Sequence, residues 1–115
     1  MKHIRTMLLL LIAVSPAPTF AADVEAGLLA VKALGSANGQ ALACAETKLA
    51  ARAKELMLAH APKTQRFGAA YEEATQEAFL AQTRAPNSCP DTARLTDRLN
   101  RVALQLADAL PVTAK

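Results

Sequence analysis

The chain has no tryptophan, only three phenylalanines and one tyrosine, four glycines, two cysteines and two histidines in 115 residues. Each scarcity removes a class of function. So few rings leave no stacking platforms for nucleic-acid bases. Two cysteines without a Cys-x-x-Cys spacing, and His60 as the only histidine beyond His3, cannot form a zinc-type cluster. The same shortage denies Ser or Cys a histidine-based triad, nothing marks a Ser–Lys pair, and glycine-rich phosphate loops are missing. We therefore expect no catalytic residue, no cofactor and no metal.

What is present begins with an export signal. Lys2, His3 and Arg5 form a positive start, residues 7–14 are an apolar run, and Ser15, Pro16 and Pro18 break it before small residues. Thr19 and Ala21 suit positions −3 and −1, which places cleavage after Ala21. A transmembrane anchor needs about 20 apolar residues, and this run stops at about half that length. The first cysteine is Cys44, too distant for a lipoprotein, so no stable membrane anchor is expected after cleavage. The domain reading is a signal peptide over 1–21 and one helical domain over 22–115.

Removing the signal changes the charge argument. The whole chain carries +3, but without Lys2 and Arg5 there are 11 basic and 10 acidic residues. That balance gives no basic surface for nucleic acid. Alanine supplies 24 of the residues after Ala21. It favours helix strongly and buries little surface, so the core is thin and a covalent staple is valuable. An even cysteine count in an exported chain reads as a disulfide. Pairing Cys44 with Cys89 closes a loop worth roughly 4 kcal/mol at most by chain entropy.

Four amphipathic segments follow. The spacing predicts helices over about 23–35, 40–60, 64–83 and 90–109, with Gly35, Ser36, Asn38 and Gly39 as a break between the first two. Leu42, Leu49 and Leu56 mark the second, filled in by Ala45, Ala53 and Met57. Phe67, Tyr71, Ala74 and Ala78 mark the third, with Thr64 as its N-cap. Leu95, Leu99, Val102 and Leu106 mark the fourth, capped by Ser88 or Cys89 with Pro90 at the first helical position. Arg94, Asp97, Arg98, Arg101 and Asp108 are assigned to its outer face. No segment alternates like a strand. The fold class is all-α, a small four-helix bundle with one disulfide, and both cysteines fall at one end of it.

Three groups carry side chains suited to chemistry. Glu72, Glu73 and Glu77 could pair as acid and base, but such a run reads as a solvated helix face. Met57 and His60 have a spacing suited to a soft metal, yet methionine on an apolar stripe is core and histidine in a last turn complements the helix dipole. The corner from His60 to Gly68 is the least generic stretch, and His60, Lys63 and Arg66 are its candidate partner-contacting residues.

The two cysteines, with Cys89-Pro90-Asp91 leading into Leu95, Leu99 and Val102, resemble the layout of HdeA acid-stress chaperones. They are similar also to periplasmic immunity proteins that neutralise type VI secretion amidases. The stretches at 37–44 and 60–64 resemble small exported bacterial proteins found beside type IV secretion and conjugation genes. These resemblances imply a periplasmic protein that binds another protein, as a secretion accessory or immunity factor. An acid-activated holdase is the alternative, driven by carboxylate protonation, and an enzyme or soft-metal carrier is disfavoured. The partner's identity, a homodimer and full secretion all stay open at this level.

Overall fold

The computed structural model describes residues 20–112; apart from Phe20 and Ala21, the signal reading of 1–21 lies outside them. Four α-helices follow one another: α1 (Phe20–Ala43), α2 (Thr47–His60), α3 (Gln65–Thr83) and α4 (Thr92–Ala109), with a short 3-10 turn at Pro86–Ser88. No strand occurs among the described residues. The all-α, four-helix reading with a Cys44–Cys89 disulfide holds.

The first boundary differs from expectation. Residues 35–39 do not break the chain, and α1 runs unbroken for 24 residues, about 36 Å. Two glycines inside a helix cost about 2 kcal/mol relative to alanine, so something must offset them. A Cβ on Gly35 would stand 2.5 Å from the Tyr71 carbonyl oxygen and 2.9 Å from the Ala74 Cβ. One on Gly39 would overlap the Thr75 carbonyl oxygen and stand 2.9 Å from the Phe79 nitrogen. Four apart, the two glycines share one face. They let α1 lie directly on the backbone of α3, where close contact gains dispersion energy.

The helix stops instead at Ala45. Its φ of 59° is left-handed, and two hydrogen bonds close the turn: Ala45 N–H to the Leu42 carbonyl at 3.2 Å and Glu46 N–H to the Ala41 carbonyl at 2.8 Å. This is a Schellman ending with alanine where glycine is usual. The Leu42–Leu49–Leu56 repeat thus straddles two helices. Leu42 and Ala45 are exposed, and the buried residues of α2 are Ala50 and Ala53.

The later boundaries match more closely. The Thr64 hydroxyl accepts from Phe67 N–H at 3.4 Å, as an N-cap does. In α4 the cap is Asp91, whose carboxylate accepts from Arg94 N–H at 2.8 Å, rather than Ser88 or Cys89. Pro90 therefore sits one residue before the cap. A carboxylate reaches the N3 amide and also complements the dipole, an advantage neither Ser88 nor Cys89 offers from further upstream.

Cross-helix bonds fix the directions. Glu46 accepts from the Thr92 hydroxyl, Arg52 donates to Asn100, and His60 donates to the Leu110 carbonyl. Partner numbers rise together, so α2 and α4 run parallel. Gly35 meeting Ala74, Gly39 meeting Ala78 and Gln40 meeting Gln82 make α1 parallel to α3 by the same logic. Directions alternate along the chain, yet the packing is lopsided. The α1 helix touches all three others, most extensively α3, and α2 touches α4, whereas α2–α3 and α3–α4 scarcely meet. The core is a layer on α1: Val31 and Leu34 against Leu99, Val102 and Leu106, with Ala30, Ala37, Ala53, Ala61, Phe67 and Ala70 filling in. Nearly half of it is alanine, as a thin core requires.

Candidate functional site

Because α3 stands away from both α2 and α4, a groove runs along each side of α1. Their linings differ. On the α2 side, a cleft of about 340 Å³ is floored by Asn38 and Leu42 and walled by Ala50, Ala51 and Tyr71, with Lys54 at the rim. It is almost wholly apolar. Leu42 is 46% exposed there, and Asn38, at the bottom, spends its amide on the Thr75 hydroxyl at 3.3 Å. Half-burial raises the pKa of the Tyr71 phenol by desolvation of the phenolate.

On the α4 side the groove is mixed, with charged, amide and hydroxyl side chains set among alanines. One stretch is lined by Lys32, Ala33, Ser36, Ala70, Glu73 and Glu77 among others. It continues into a smaller hollow of about 250 Å³ whose walls are Ser36, Gln40, Ala78, Ala81, Gln82, Ser88 and Arg98. A hydrogen-bond network organises that end. Arg98 donates to the Gln40 carboxamide oxygen at 2.6 Å and the Ser36 hydroxyl at 3.0 Å. Gln40 donates to Gln82 at 2.9 Å, and Gln82 donates to the Ala85 carbonyl and the Ser88 hydroxyl. The chain of contacts joins α4, α1, α3 and the 3-10 turn beside Cys89.

Arg98 was expected on the outer face and instead lies half-buried. Burial and the like charge of Arg101 both lower its pKa. Sequence reasoning missed it because a residue next to an amphipathic stripe looks solvated until a neighbouring helix supplies oxygens. The glutamine pair Gln40 and Gln82 was missed for the same reason; Gln82 is buried at 7% exposure.

Cys44 and Cys89 are bonded, their Cα atoms 5.8 Å apart. Cys44 belongs to the end of α1 rather than the first turns of α2, so the bridge links the α1–α2 and α3–α4 corners. His60 and Lys63 line one surface hollow together with Leu110 and Pro111. His60 Nδ1 donates to the Leu110 carbonyl at 2.7 Å, and the Lys63 ammonium donates to the Leu58 carbonyl at 3.2 Å. Both thereby satisfy helix-end carbonyls. Arg66 is not with them; it lies beside Glu25, Leu28, Leu29 and Lys32. Met57 is half-buried against the core. Glu72, Glu73 and Glu77 are exposed, the last two on the polar groove. Among the described residues no group of His, Cys, Asp and Glu could hold a metal ion, and no helix is long and apolar enough to cross a membrane. No family model matches this chain, and neither a curated protein nor a solved structure does.

Proposed function

We propose that this chain is exported by a signal cleaved after Ala21 and acts in the periplasm by binding another protein, as a secretion or conjugation accessory or an immunity-type factor. The observation that carries the binding half is the open apolar cleft beside Leu42 and Tyr71. Its walls are helices that do not close on one another. A 94-residue chain with so much alanine has little apolar surface to leave unused, and an unfilled apolar cleft is a recognition feature. The occupant is a helix of another protein with an apolar face, flanked by an acidic residue that meets Lys54 at the rim. The export half is supported by the disulfide, which persists in oxidising compartments.

The test has two readouts. Mass spectrometry of the periplasmic fraction should return a chain starting at Ala22, and an unprocessed cytoplasmic chain refutes export. A photo-crosslinking residue in place of Ala51, in the cleft, should give one discrete adduct to an identified protein. The same residue at Asp108, on α4, should not, and Leu42→Glu should abolish the Ala51 adduct. Equal crosslinking from both sites refutes the cleft as the binding surface.

A further inference from the structure

We propose that the hollow between α3 and α4 is a carboxylate-binding site centred on Arg98, built to take an acidic side chain of a partner protein. Only the nature of the bearer rests on the partner-binding reading above; the site itself rests on geometry. Four observations converge on it.

First, the walls of the hollow carry one positive charge and no negative one. Second, the guanidinium is held in place by two neutral oxygens, those of Gln40 and Ser36. They consume two of the five N–H donors a guanidinium offers, and supply no counter-charge. A half-buried cation in that state has given up solvent without gaining, among the described residues, a partner of opposite sign. An arriving carboxylate restores what was lost, because its two oxygens match the planar fork in a bidentate pair. Third, the wall opposite is made of Ala78 and Ala81, whose methyl groups leave room for a small group and compete for no donor. Ser88 lies on the same hollow with its hydroxyl already ordered by the Ala85 carbonyl at 2.7 Å.

Fourth, the surroundings favour an anion's approach. Arg94 and Arg101 follow the spacing 4 and 3 about Arg98, so all three occupy one row of α4, and the outer two are exposed. The nearby acids are engaged or displaced. Asp91 is committed to capping α4, and Asp97 is exposed on an adjacent row. Glu73 and Glu77 line the next stretch of the groove. Their presence there means that the bearer of the carboxylate continues with neutral or basic groups, which orients it along the groove.

The tripeptide acetyl-Ala-Glu-Ala-amide, its glutamine counterpart and sodium acetate serve as probes for the oxidised mature chain, followed by two-dimensional nitrogen–proton NMR. The glutamate peptide should shift the Arg98 side-chain Nε–H and the Ser88 amide saturably, at about millimolar concentration. The glutamine peptide should leave both in place. Acetate should bind at least fivefold more weakly than the peptide, and equal affinities overturn a peptide bearer. Arg98→Gln should abolish the response. Should that variant fail to fold, Gln40→Glu decides the matter: it keeps the side-chain size, gives up the one donation to Gln82 and places a carboxylate against the guanidinium. Its expected result is an unchanged helical spectrum with at least a tenfold loss of peptide affinity. Wild-type affinity in Gln40→Glu, or no shift at Arg98 in the native chain, overturns the site. Neither result bears on crosslinking from Ala51, so the two readings fail separately.

Discussion

The two grooves beside α1 share a floor and a wall yet differ in chemistry. On the α2 side, Leu42, Ala50, Ala51 and Tyr71 offer an apolar slot. On the α4 side, Arg98, Gln40, Gln82 and Ser88 are locked into a polar network. Both exist for one reason. Gly35 and Gly39 draw α3 onto α1, and this leaves α3 too far from its other neighbours to close either side. The difference lies in what each flanking helix brings. The α2 helix turns alanines inward, while α4 turns an arginine toward α1. A helix pair can thus set the positions of two sites while the outer helices choose their chemistry.

The strongest way to separate the grooves is reduction of the disulfide. Opening Cys44–Cys89 should cost roughly 4 kcal/mol by chain entropy, read as a fall in urea midpoint. Hydrogen exchange should show the loss unevenly. Amides at 82–88 should lose protection before those around Tyr71, since the turn beside Cys89 feeds only the polar side. Uniform loss would mean that the two sides are not independent.

Next comes the shared wall. Gly39→Ala should cost about 3 kcal/mol, because overpacking against backbone has no flexible side chain to yield. It should disturb both grooves together. Gly68→Ala, where an added methyl meets nothing within 4 Å, should instead gain up to about 1 kcal/mol from helix propensity. The same sign for both would remove the close-approach argument. At the exit of α1, Ala45→Gly should gain about 1 kcal/mol by relieving a left-handed alanine, measured as a rise in thermal midpoint.

The smallest effect reads the apolar side alone. Tyr71 is the only tyrosine in the chain and there is no tryptophan, so ultraviolet absorbance follows its phenol directly. Burial raises its pKa from 10.0, so the unfolded chain ionises first. Stability from this group is complete below the ordinary tyrosine range and is lost as pH climbs through the raised folded value. Tyr71→Phe should flatten that alkaline decline. A phenol that titrates at its ordinary value would mean that the slot is already open to water.

These sites were unevenly legible in the sequence. The third and fourth helices were readable because their signals are local. Thr64 caps its own helix, and Leu95, Leu99, Val102 and Leu106 repeat on one face and are all buried. The disulfide was readable from the even cysteine count, once the N-terminus is read as an export signal. What failed was any residue whose role depends on a distant helix. Gly35 and Gly39 look like breakers unless Tyr71, Ala74 and Thr75 lie against them. Arg98 looks solvated unless Ser36 and Gln40, some sixty residues earlier, present oxygens. Leu42 looked like the start of an α2 stripe because a turn made of alanine and glutamate has no sequence marker. His60 and Lys63 stand out in the sequence as a proline-bounded, positively charged corner, and in the structure their hydrogen bonds tie down carbonyls of Leu110 and Leu58.

The reliance of every helix on α1 also orders events in time. Of the four helices α1 is made first and, in the export reading, delivered first, and domains are built from the N-terminus onward. Its glycine face waits for Tyr71, Ala74 and Thr75, and its other side waits for Leu99, Val102 and Leu106. The scaffold is therefore complete while its apolar faces are still bare. Closure of the ring at Cys89 comes only after α3 has been delivered. A chain with its support at the front and its lock near the back spends most of its delivery half-covered, and the many alanines of α1 and α3 limit how sticky that interval is.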